Sequence, residues 1–188
     1  MRDPHVESLR YRIGTSETTT YENPPAVEIT RDEFDCSLDD GFLTCCMREH
    51  YSTVKEARRV IEDFLRSWEI KTALELGRGE LRFHFEDSRI IDRDPPPPGN
   101  SQVLKLSESL SITNSVRVRG RAHVTRRKYP DPPTNFTVTP DVETLWQRYN
   151  NYLDGKEPLP SMAYFCLTVL KNKAGGEMRA AASVVRHK

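Results

Sequence analysis

The chain has 188 residues, 36% of them hydrophobic and 9% aromatic, enough apolar material for a core in one domain or one and a half. No apolar run reaches the ~18 residues that span a bilayer, and the start MRDPHVESLR lacks the apolar centre of a signal peptide, so no membrane contact and a cytoplasmic location are expected. The net charge of zero hides a split: residues 1–100 hold 14 Lys and Arg against 21 Asp and Glu, and residues 101–188 hold 14 against 7. Either the acidic and basic halves meet, within one molecule or between two, or the basic half meets an anionic partner.

Residues 5–13 alternate, with Leu9, Tyr11 and Ile13 on one side and Ser8, Arg10 and Arg12 on the other, which predicts a half-buried strand. The segment GTSETTTYENPP reads as a polar loop, and a short strand at 26–30 leads into the hairpin FDCSLDDGFLTCCM. Its Asp40-Gly41 pair suits the positive backbone angles of a type I′ turn, which pairs position 39 with 42 and sets Cys36 opposite Cys45. A cross-strand disulfide is geometrically open, but in a reducing compartment two core thiols are expected, within the apolar series Phe34, Cys36, Leu38 and Leu43, Cys45, Met47. Cys45, Cys46 and His50 lack ligand spacing, so neither metal nor cofactor is expected. The sequon Asn135-Phe136-Thr137 is expected to stay unmodified in that compartment.

Thr53 and Glu56 form a capping-box pair ahead of Val54, Ala57, Ile61, Phe64, Leu65 and Trp68 at helical spacing, and Gly77 is placed to end that helix. Its charged outer face, which mixes both signs, reads as an ordinary solvated surface. The next segment, ELRFHFED, reads as a strand with Leu81, Phe83 and Phe85 inward and Glu80, Arg82, His84 and Glu86 outward. DRDPPPPGN reads as a polyproline spacer, and 102–112 with 115–126 are expected to pair as a second hairpin. From Thr139 the period becomes helical: Thr139 caps, Pro140 takes the first position, and Val142, Leu145, Trp146, Tyr149, Tyr152 and Leu153 form a stripe ending at Gly155. MAYFCLTVLKN follows from Ser161, apolar nearly all round and in need of cover on every side.

These elements predict an α+β protein: an antiparallel sheet of about six strands packed by one long helix, then a C-terminal helical segment. The boundaries are 1–138 for a β-rich domain and 139–188 for the helical segment. Since little chain follows Gly175-Gly176, the chain is expected either to be a fragment of a longer protein or to complete its last helices by oligomerising.

The run DVETLWQRYNNYLDGKEPLPSMAYFCLTVLKNKAGG, about a fifth of the chain, resembles the start of a helical unit of uncharacterised bacterial proteins and is similar to HEPN-type helical domains. Active HEPN ribonucleases carry an Arg, a polar residue after it, and a His one to two helical turns further on. Arg117 and His123 have the spacing, but Val118 follows the arginine and the segment reads as a strand, while Arg179 and His187 stand too far apart. The resemblance therefore implies an inactive version, or a chain without the part that holds the catalytic residues.

No catalytic residue can be nominated. Gly77-Arg78-Gly79 lacks the remainder of a phosphate loop, and His84-Phe85-Glu86 lacks the PCxxC that a zinc deaminase needs. Two non-catalytic readings stand ahead of a third, an RNase-like or small-molecule-modifying enzyme with no residue to carry the chemistry. One is an accessory or scaffold protein that self-associates or binds a protein partner, with Trp146, Tyr149, Met162, Phe165 and Val169 as its interface. The alternative is a module that binds the RNA or DNA backbone through Arg117, Arg119, Arg121 and His123 on one strand face, extended by Arg126, Arg127 and Lys128. Against it stands neutralisation of the arginines by Glu80 and Glu86 across strands.

Overall fold

The computed structural model describes residues 3–94 and 123–173, and the chain divides into two compact units, Met1–Thr137 and Val138–Lys188. The first unit is α+β. Its strands are β1 (Pro4–Gly14), β2 (Thr19–Tyr21), β3 (Val27–Thr30), β4 (Phe34–Asp39), β5 (Phe42–Met47), β6 (Arg82–Asp92) and β7 (Val124–Arg126), with helix α1 (Val54–Leu76) between β5 and β6. Five of them form an antiparallel sheet in the order β3-β4-β5-β1-β6, and β2 and β7 form a separate parallel pair.

β1 runs between β5 and β6 because its alternation buries Leu9 and Tyr11 opposite Cys45 and Leu43. Its register against β6 shifts twice, at Glu7 in β1 and at Glu86 in β6. Each shift inserts one residue and resets the alternation, so that Val6 and Ile90 still pack on the core. The second of these bulges carries β6 on to Asp92, beyond the end that ELRFHFED alone predicts.

The hairpin has the expected register: Asp40 at φ 46° and Gly41 at φ 77° make the turn, Asp39 pairs with Phe42, and Cys36 lies opposite Cys45 with Cα atoms 4.1 Å apart. The expectation of two free core thiols is corrected here. Cys36 and Cys45 are joined as a disulfide, while Cys46, on the other face of β5, and Cys166 are free.

α1 starts where the capping box places it. Thr53 Oγ1 accepts from the Glu56 amide, and the Glu56 carboxylate accepts from the Thr53 amide and from Ser52 Oγ, which holds its pKa below the usual range. The helix lays Ala57, Ile61, Leu65 and Trp68 on the sheet, all buried, and stops at Gly77, whose φ of 116° favours glycine. Trp68 packs against Phe64 and Phe83, and its indole N–H donates to the Pro130 carbonyl, tying the segment after β7 to the helix.

Glu80 does not face outward. It is 8% exposed, and its carboxylate accepts from Ser16 Oγ at 2.9 Å, from Thr19 Oγ1 at 2.8 Å and from Arg126 Nε at 3.2 Å. The Tyr21 hydroxyl donates to the Glu80 carbonyl. The supposed polar loop therefore contains β2, which is fastened to β7 and to the turn between α1 and β6 through one buried carboxylate. Of the expected second hairpin only β7 lies within the described residues, where it pairs with β2. The prolines at 95–98 lie outside them.

The second unit holds α2 (Pro140–Leu153) and α3 (Leu159–Lys173). Thr139 caps α2 by accepting from the Val142 amide, Pro140 opens it, and Gly155 at φ 71° follows its end. Neither helix has a buried residue.

At the start of β1, His5 is 4% exposed, stacks on His50 with ring centroids 5.4 Å apart, and leaves its Nδ1 without a hydrogen-bond partner. Burial first, then the charges of Arg93 and His50, hold its pKa below 6.5, against the opposing pull of Glu7 and Asp3.

Three outcomes follow from this architecture. Alkylation in denaturant without reductant labels Cys46 and Cys166 alone, and labels all four cysteines only after reduction; mass spectrometry reads the count. Glu80→Ala strands Arg126 and the two hydroxyls and costs about 2 kcal/mol in chemical denaturation, whereas Glu80→Gln, which keeps acceptors in place, costs less. Because the depressed histidine binds its proton more readily in the unfolded chain, the stability it contributes is complete above pH 6.5 and falls as pH drops below that value. The slope is at most about 1.4 kcal/mol per pH unit, and in His5→Gln this part of the pH dependence is lost from denaturation midpoints.

Candidate functional site

The basic run divides. Arg117, Arg119 and Arg121 lie outside the described residues. His123 Nε2 lies 2.9 Å from Thr20 Oγ1 and fastens the start of β7 to β2. Arg126 is spent on Glu80, and Lys128 meets Asp131 at 2.9 Å. Arg127 is exposed, on the rim of a shallow cleft of about 370 Å³ that also contains Glu75 and Asp131. The described end of the run is thus a structural clamp with its charge largely compensated.

In the second unit, Trp146, Met162, Phe165 and Val169 are half-buried, and Tyr149 is exposed. Trp146 packs on Tyr149, and the Arg148 guanidinium sits 4.3 Å over the Phe165 ring while bonding Glu157 at 2.6 Å. That guanidinium, with Ser161, holds the Glu157 carboxyl below its usual pKa. The most exposed apolar side chains are ones that periodicity did not single out: Tyr164 at 73% and Leu167 at 61%, one turn apart on α3, with Leu159 on the same helix. The charges of the pair are used internally, Arg148 with Glu157, Lys173 with Asp141 and Lys156 with Asp154.

A third feature was not foreseen. A cleft of about 560 Å³ opens at the tip of the β4–β5 hairpin, between the end of β1 (Ile13, Thr15), the segment after β2 (Tyr21, Asn23, Pro24) and Tyr129. Its floor is fixed by hydrogen bonds: the Gly41 amide donates to the Tyr129 hydroxyl at 2.9 Å and the Ile13 amide to the Gly41 carbonyl at 2.9 Å. Tyr21 and Tyr129 pack with ring centroids 5.0 Å apart. Burial pushes the Tyr21 pKa up to about 12 and raises that of Tyr129, to which the charges of Asp39 and Asp40 add. Both aspartates are among the residues that line the cleft, and their charge reaches the Tyr129 hydroxyl. The Asp40-Gly41 pair was visible in the sequence only as a turn; the tyrosines, far apart along the chain, gave no local signal.

Cys45, Cys46 and His50 form no metal centre, since Cys45 is in the disulfide and no group of three metal-ligating side chains exists among the described residues. No described helix is long and apolar enough to cross a membrane. No family model matches the chain, and no curated protein and no solved structure was found to be similar to it.

Proposed function

We propose that the protein is a non-catalytic accessory or scaffold protein that self-associates through the α2–α3 pair. The observation that carries this reading is that α2 and α3, the described helices of the second unit, have no buried residue and expose Leu153, Leu159, Tyr164 and Leu167. Two short helices cannot be held by propensity alone, and most helical stability comes from an apolar face that is covered. The occupant of that face has no need of charge, because the acidic and basic groups of the pair already neutralise one another. The same uncharged face on a second copy meets this requirement through a two-fold interface.

The test is light scattering at low and high salt, with the ratio of absorbance at 260 and 280 nm recorded on the same peak. The expected species is a dimer that salt does not dissociate and that carries no nucleic acid, and the double variant Tyr164→Glu, Leu167→Glu is expected to run as a monomer with unchanged far-ultraviolet circular dichroism. A monomeric native protein overturns the reading. A species bound to nucleic acid that salt strips away replaces it with backbone binding by the basic half.

A further inference from the structure

We propose that the cleft at the hairpin tip is a receptor for one basic residue of a peptide, its guanidinium or ammonium held by Asp39 and Asp40 and its backbone carbonyl accepting from the Tyr129 hydroxyl. This site belongs to the first unit and is independent of self-association through α2–α3.

Three observations converge. The cavity, at about 560 Å³, falls in the ~300–1,000 Å³ range of small-ligand sites, and its walls combine the Tyr21 ring and the apolar Ile13 and Pro24 with a few polar groups. Tyr129 is 2% exposed, yet its hydroxyl only accepts, from Gly41; its proton has no acceptor among the described residues. A buried phenol that keeps a donor unspent calls for an acceptor from outside. Adjacent carboxylates at Asp39 and Asp40 meet no cation among the described residues; Asp39 Oδ1 accepts only the Asp40 amide.

The ligand chemistry follows from these groups. Carboxylates beside an aromatic wall favour an organic cation, which gains charge-assisted hydrogen bonds from the first and ring contact from the second. A metal ion is disfavoured, because the described residues contain no group of three ligating side chains. The phenol proton separates a peptide-borne residue, which brings a carbonyl, from a free polyamine, which brings charge alone. The site is preorganised: Asp40 and Gly41 are fixed by their turn, Asn23 is held at φ 43°, and Tyr21 is pinned by its bond to the Glu80 carbonyl.

The experiment follows amide shifts of the full-length protein during titration with N-acetyl-arginine methylamide, its neutral citrulline counterpart and spermidine. Saturable shifts centred on Gly41, Asn23 and Tyr129 are expected with the arginine probe, with little response to citrulline and a weaker one to spermidine. The double variant Asp39→Asn, Asp40→Asn is expected to weaken arginine binding about tenfold. It retains the fold, since Asn keeps the capping oxygen at 39 and Asn-Gly is the favoured pair for this turn; amide shifts away from the cleft check this. No response to arginine, or an equal response to citrulline, overturns the proposal. A response to spermidine equal to that of arginine overturns the part assigned to the Tyr129 proton and makes the ligand a free amine.

Discussion

The Glu80 carboxylate is the contact on which the first unit's architecture turns. It lies at the end of α1 and the start of β6, and it gathers Ser16 and Thr19 from one segment and Arg126 from another far along the chain. Without it, β2 and β7 would be a two-stranded ribbon of three residues each, too small to hold itself together. With it, Tyr21 and Tyr129 are brought together beside the hairpin tip. A buried ion pair is weak evidence for stability as such, because desolvation offsets most of the Coulomb gain. Here its consequence is positional: removing one partner leaves a charge and two hydroxyls unsatisfied in that one register.

The five-stranded sheet works on a different principle. Its inner face is apolar and covered by α1, and its outer face carries charged residues that compensate one another locally, as in Arg48 with Asp35 and Arg89 with Glu7. Arg10 lies over Phe42, its guanidinium 4.0 Å from the ring centre, which shields an aromatic side chain on the solvent face. The edge strand β6 is guarded as well: the Phe83 amide, which would otherwise be open to another strand, donates to Glu69 on α1.

Local rules recovered the parts of this fold that depend on neighbouring residues. The capping box, the Asp40-Gly41 turn, the register that sets Cys36 opposite Cys45, and the caps of α2 are all decided within a few positions, so composition and spacing suffice to read them. What stayed hidden was decided by distant residues. Glu80 reads as an outward position of an alternating strand, and only the arrival of Thr19 and Arg126 buries it. β2 lies among Thr and Ser, residues that suit a loop as well as a strand, and its partner is more than a hundred residues away. The disulfide was legible as geometry but not as chemistry, because opposition across a hairpin is common to thiols and disulfides. On α3 the expected contact residues Met162, Phe165 and Val169 are half-buried, Phe165 beneath the Arg148 guanidinium of α2, while Tyr164 and Leu167 are the more exposed.

Charge carries information in this chain mainly where it is left over. A net charge of zero and a split of −7 against +7 say little by themselves, since neutralisation within a surface is the ordinary outcome and Arg126, Lys128, Arg148 and Lys173 all show it. Asp39 and Asp40 differ in kind. They stand side by side at a turn that needs only small polar residues, so the geometry would be met equally well by Asn at both positions. The two carboxylates meet no cation among the described residues, and a buried phenol with an unspent proton stands beside them. Turn geometry alone leaves that choice of residues unexplained, whereas a ligand that brings both a positive charge and a carbonyl accounts for the acids and the tyrosine together.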